Sequence, residues 1–95
     1  MKYDIDKDVI RKVVKLMGDK SLVIAMEECS ELAQSLSKVF RGKPDINNVI
    51  EEIADVLICI EEVMYKEGIP PDKIQKLIDY KLDRLEKRIK NKKLT

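Results

Sequence analysis

Residues 46–64, INNVIEEIADVLICIEEVM, decide the architecture. Laid out at about 3.6 residues per turn, Ile46, Val49, Ile50, Ile53, Val56, Leu57, Ile60, Val63 and Met64 share one arc, which predicts an amphipathic helix. Ala54 and Ile58 add apolar surface on a further side, so this helix should meet a partner beyond its nearest neighbour. The preceding segment repeats the pattern with Leu22, Ala25, Met26, Cys29, Leu32, Ala33, Leu36, Val39 and Phe40. The following one carries Ile74, Leu77, Ile78, Leu82, Leu85 and Ile89, and the first carries Ile5, Val9, Val13 and Leu16. Gly18, Gly42 and Gly68 punctuate these runs and suit helix C-termini, while Pro44 and Pro71 suit the first turn of the next helix. The reading is four helices, over 5–17, 20–41, 45–67 and 71–91. No sustained alternation or hairpin turn argues for strands. The expected fold is therefore all-α, a single domain over residues 1–95, forming a four-helix bundle completed by homo-oligomerisation. A chain of this size buries a modest core alone, and a second copy would enlarge it.

Composition narrows the chemistry. Nineteen Lys and Arg against 18 Asp and Glu leave a net charge of +1, which does not announce a polyanion binder. Hydrophobic residues make up 44% and charged residues 39%, too apolar for a disordered tail and too charged for a membrane protein. The longest apolar runs, 22–26 and 56–60, are five residues each, far below the roughly 18 that a spanning helix needs. No secretory signal is visible after Met1, so a cytoplasmic location is expected. Histidine is absent, which excludes an imidazole base, a Ser-His-Asp triad and a histidine-held zinc. Cys29 and Cys59 lack C-x-x-C spacing and read as reduced core thiols.

Acidic residues at the edges of the apolar arcs carry the functional signal. Glu28 and Glu31 are three apart, hence neighbours on one helix face, with Glu27 just behind. Glu52 and Asp55 repeat that spacing 24 residues later, at the same helical angles. The short turn at 42–44 makes the two helices antiparallel, so residues at one level have numbers totalling roughly 84 to 88. Glu31 and Asp55 total 86, and the other members lie within about one turn. Four carboxylates should then converge. Such a cluster repels itself unless a cation compensates, and carboxylate-only ligation favours Mg²⁺ or Mn²⁺. A di-iron bundle would need E-x-x-H pairs, which a chain without histidine lacks. Glu61, Glu62, Glu67, Asp79, Asp83 and Glu86 read as a solvated face.

The run Glu27-Glu28-Cys29-Ser30-Glu31, a 20-residue gap and Glu52-Ile53-Ala54-Asp55 resemble the E-E-x-x-E and E-x-x-D signature of the MazG-like, all-α nucleoside triphosphate pyrophosphohydrolases. The likeness extends to the flanking residues and covers about residues 20–90. It implies a four-helix MazG-like bundle and a metal-dependent hydrolase that cuts a nucleoside triphosphate between its α and β phosphorus atoms, releasing a monophosphate and pyrophosphate. By position, Glu28, Glu31, Glu52 and Asp55 would be the metal ligands, and Glu27 would orient or deprotonate the attacking water. Lys81 and Arg88, seven apart on the last helix, would face substrate phosphates. Leu85 departs from the family's pattern, which often has Asn there. The resemblance implies a nucleotide house-cleaning role, with Mg²⁺ or Mn²⁺ as cofactor and a homodimer or homotetramer as the assembly. No membrane is expected as a partner, and nucleic acid is disfavoured by the near-zero net charge. Phosphoribosyl-ATP pyrophosphatases are similar in the same motif but usually place an aromatic-His pair where Ile58 and Cys59 stand. A catalytically silent helical protein that binds a partner is the alternative from another class. The base and sugar are not readable: the chain has no Trp, and only four aromatic residues.

Overall fold

A computed structural model describes residues 3–93. Its four helices are α1 (Lys7–Met17), α2 (Lys20–Phe40), α3 (Ile46–Glu67) and α4 (Pro71–Lys90), and the described residues include no strand. No helix among them is long and apolar enough to cross a membrane.

Local chemistry sets the boundaries. Asp6 caps α1 by accepting from the Asp8 and Val9 amides, and Asp45 caps α3 by accepting from the Asn48 amide at 3.1 Å. Because Asp45 is the cap, Pro44 lies outside the helix instead of in its first turn, where the sequence pattern had put it. Pro71 does open α4, where its missing N–H costs nothing. At the end of α3 Gly68 takes the left-handed conformation, φ 66°, and the Ile69 amide reaches back to the Met64 carbonyl at 2.9 Å. That closure satisfies carbonyls the helix end would otherwise orphan.

α2 and α3 form an antiparallel hairpin, and α1 packs chiefly on α3. Ile10 and Val14 of α1 and Cys59 of α3 are the buried hydrophobic residues. An ion pair between Lys7 and Glu61 joins α1 to α3. A second, Lys66 to Asp19 at 2.9 Å, ties the end of α3 to the α1–α2 turn. The hydrogen bond from Lys66 holds the Asp19 carboxyl below its ordinary range, and the same bond raises the Lys66 ammonium.

α4 behaves differently. It buries none of its residues and packs substantially on no other helix. The expectation of a bundle closed around apolar arcs is therefore not met within one chain: α1, α2 and α3 pack together, yet Leu16, Leu36, Ile46, Ile50, Ile53 and Ile60, read as core, are exposed. Met26 and Phe40, read as core, stay 65% and 93% exposed, since no described residue covers them. Cys29 is exposed as well, whereas Cys59 is buried. The radius of gyration is 16.1 Å, against about 12 Å for a compact chain of this length.

Candidate metal centre

The α2–α3 seam brings the predicted acidic residues together. One carboxylate oxygen from each of Glu28, Glu31 and Glu52 lies within 4.8 Å of the others. The spacing explains this: Glu28 and Glu31 sit one turn apart on α2, and the short 41–45 connection returns α3 so that Glu52 arrives at their level. Asp55 is not a member of that close group, yet its charge contributes to raising both Glu28 and Glu52. Glu27 is exposed and stands outside the group.

Glu52 is 8% exposed. Its Oε1 accepts from Asn48 Nδ2 at 3.5 Å, one turn earlier on α3, while its Oε2 is buried with no hydrogen-bond partner. Glu28 Oε2 is likewise buried and unpartnered. No Lys or Arg among the described residues forms an ion pair with Glu28, Glu31, Glu52 or Asp55. Orphaned carboxylate oxygens are costly when desolvated, and the protein answers by holding protons. Burial, then the charges of Glu31, Asp55 and Glu52, push the Glu28 carboxyl up to about 6. Burial, then Glu31 and Asp55, raise Glu52 as well.

These donors fit a hard divalent cation. Three or four carboxylates supply oxygen ligands and negative charge, with no thiolate or imidazole to favour a softer metal. A cation here would satisfy the two orphaned oxygens and relieve the mutual repulsion that raises both groups.

Two neighbours were not legible as part of this site. Asn48 donates to Glu52 from the first turn of α3, and its signal was the i, i+4 spacing alone. Glu62, grouped with the solvated acids, is buried at 6% exposure, and burial raises its carboxyl. It lies seven residues after Asp55, on the same face two turns on. Cys59 sits between them, its thiol pushed up to about 11 by burial and then by Glu62, Glu28 and Asp55.

Lys81 and Arg88 lie elsewhere. With Arg84 and Leu85 they line one shallow cleft on α4, and α4 does not carry them onto the acidic seam of its own chain. Neither forms an ion pair among the described residues, and Arg84 stacks on the Tyr80 ring at 5.7 Å. No family model, curated protein or solved structure matches this chain.

Proposed function

We propose that the chain is a Mg²⁺-dependent nucleoside triphosphate pyrophosphohydrolase, with Mn²⁺ able to replace Mg²⁺, acting as a homo-oligomer on standard or damaged nucleotides in the cytoplasm. The observation that carries this reading is the pair of orphaned oxygens, Glu28 Oε2 and Glu52 Oε2, at one seam where no Lys or Arg among the described residues forms an ion pair. A carboxylate cluster that holds a hard cation incompletely leaves coordination sites for water and phosphate oxygens, which is how such ions are used in phosphoryl chemistry. The resemblance of 27–31 and 52–55 to the MazG-like signature supplies the reaction class.

Glu28, Glu31, Glu52 and Asp55 would hold the ion, and Asn48 would fix the rotamer of Glu52. When bound, the ion supplies neutralisation of the phosphate charge and acidifies water. Glu27, exposed beside this cluster, is the candidate to orient the attacking water and take its proton. Lys81 and Arg88 would bind phosphate oxygens, the Arg through its planar fork. Addition of water across the α–β anhydride gives a monophosphate and pyrophosphate, with no other co-reactant.

The test is a panel of ribo- and deoxyribonucleoside triphosphates with Mg²⁺ or Mn²⁺, resolving pyrophosphate from orthophosphate. Pyrophosphate with a monophosphate is expected. Orthophosphate with a diphosphate, or no turnover of any substrate, would overturn the assignment. The uncovered apolar stripe of α4 favours a second reading, a silent helical binding protein. That protein would gain no stability from Mg²⁺.

A further inference from the structure

Cys29 and Cys59 are the chain's two cysteines, both free thiols, and the α2–α3 hairpin brings them together. Their numbers total 88, within the range that marks one level on this antiparallel pair. Both line one apolar groove, beside Ala25, Val56 and Val63. Cys29 also counts among the charges that act on the Cys59 thiol, which takes a close neighbour. Helices packed with axes about 8–10 Å apart, each with Cα atoms about 2.3 Å from its axis, bring facing Cα atoms to roughly 3.5–5.5 Å. Positions just beside the contact line stand slightly further apart. A disulfide spans about 4.4–6.8 Å between Cα atoms, so a bond here asks little of the backbone.

The two thiols differ in what can reach them. Cys29 is exposed, whereas Cys59 is buried at 5% exposure. A dissolved oxidant therefore meets Cys29 first. Cys59 is screened from solvent and faces only what shares its groove, which includes the Cys29 side chain. That is the division of labour between an attacking and a resolving cysteine.

We propose that Cys29 and Cys59 are an oxidative modification site, joined by peroxide into a reversible disulfide within one chain. The Cys29 sulfur attacks one oxygen of hydrogen peroxide: an S–O bond forms, the O–O bond breaks, and the departing hydroxide leaves as water with the thiol proton. The Cys59 sulfur then attacks the Cys29 sulfur of that sulfenic acid. The S–S bond forms, the S–O bond breaks, and the second hydroxide leaves as water with the Cys59 proton. Two thiols and one peroxide give one disulfide and two waters, each sulfur losing one electron to the peroxide oxygens. In the reducing compartment of the proposed function the bond is transient, removed again by thiol exchange. It closes residues 29–59 into a loop and so restricts the unfolded chain. It also staples α2 to α3 next to Glu28 and one turn from Asp55, whether or not that seam turns over nucleotides.

The full chain, reduced and then given a few equivalents of hydrogen peroxide, tests this. Peptide mass spectrometry without reductant should find Cys29 and Cys59 peptides joined in a product of one chain mass. The melting temperature should rise by on the order of 10 °C and return with dithiothreitol. In Cys59→Ala the sulfenic acid has no resolving thiol, so dimedone should trap it at Cys29, or sulfinic acid should accumulate there; wild type at the same dose should show little of either. Cys29→Ser changes an exposed position and should keep its helical circular dichroism, with Cys59 remaining a thiol after the same treatment. It decides the matter even where Cys59→Ala fails to fold. Absence of the joined peptides, Cys29-to-Cys29 bonds between chains in their place, or oxidation of Cys59 in Cys29→Ser at the wild-type rate would each overturn the proposal. Hydrolase activity enters none of these readouts, so loss of the enzyme reading would leave the cross-link standing.

Discussion

Glu28 on α2 and Glu52 on α3 face the same seam with the same defect: each buries an Oε2 that accepts no hydrogen bond. Packing did not force this, because an amide or apolar side chain would fill either position without the electrostatic cost. The fold keeps two raised carboxyls instead, and the proposed reading gives them a cation to hold.

Replacing Glu52 with Gln separates stability from function. The amide keeps the shape, removes a charge that Glu31 and Asp55 repel, and can donate to a neighbouring carboxylate. Without metal, the variant should melt at or above the wild-type temperature. Its turnover should fall by on the order of 100-fold or more, since even residues that only support a ligand cost about 10- to 100-fold. Parallel calorimetry and product assays check both halves.

Asn48→Ala should act more weakly in the same direction. It removes the hydrogen bond that the Glu52 carboxylate accepts among the described residues and leaves that carboxylate in place but less well oriented. Mg²⁺ affinity should drop by about 10- to 100-fold, and by less than in Glu52→Gln. A magnesium titration of melting temperature measures it. An Asn48→Ala midpoint equal to wild type would remove the residue from the site.

The pH dependence has a definite sign. Glu28 keeps its proton to about 6 in the folded chain, against 4.5 ordinarily. The folded state therefore binds more protons than the unfolded state within that window. Its contribution to stability is full below 4.5 and is lost as pH rises through about 6. Metal-free wild type should lose stability over that window relative to Glu28→Gln, as read by urea midpoints in chelator. Mg²⁺ affinity should rise over the same window, because the cation competes with these protons.

Cys59 should be inert. Its thiol, pushed up to about 11, presents roughly a thousandth of its population as thiolate at pH 8. Alkylation followed by peptide mass spectrometry should modify Cys59 only after unfolding. Rapid native-state labelling would show that the seam opens readily.

The helices themselves were legible because glycine and proline sit at their ends and the apolar residues keep a 3.6 period. The convergence of Glu28, Glu31 and Glu52 was legible for a further reason: the short 41–45 connection fixes the level at which two antiparallel helices meet. Glu62 was not, because its burial depends on how α1 and α2 close over α3, which no periodicity in α3 encodes. The exposure of Met26 and Phe40 was missed for the opposite reason. An apolar arc states that a face will be covered, and is silent on whether the cover comes from the same chain. Asn48 was hidden by its type, since a helix-terminal Asn has ordinary capping roles.

Binding of Mn²⁺, followed by loss of the free-ion electron paramagnetic resonance signal, tests most directly whether the seam is a metal site. Wild type should show saturable binding that Glu52→Gln abolishes and that Asp79→Asn, an exposed carboxylate on α4, leaves unchanged. Absence of saturable binding, or equal binding by Glu52→Gln and wild type, would contradict it.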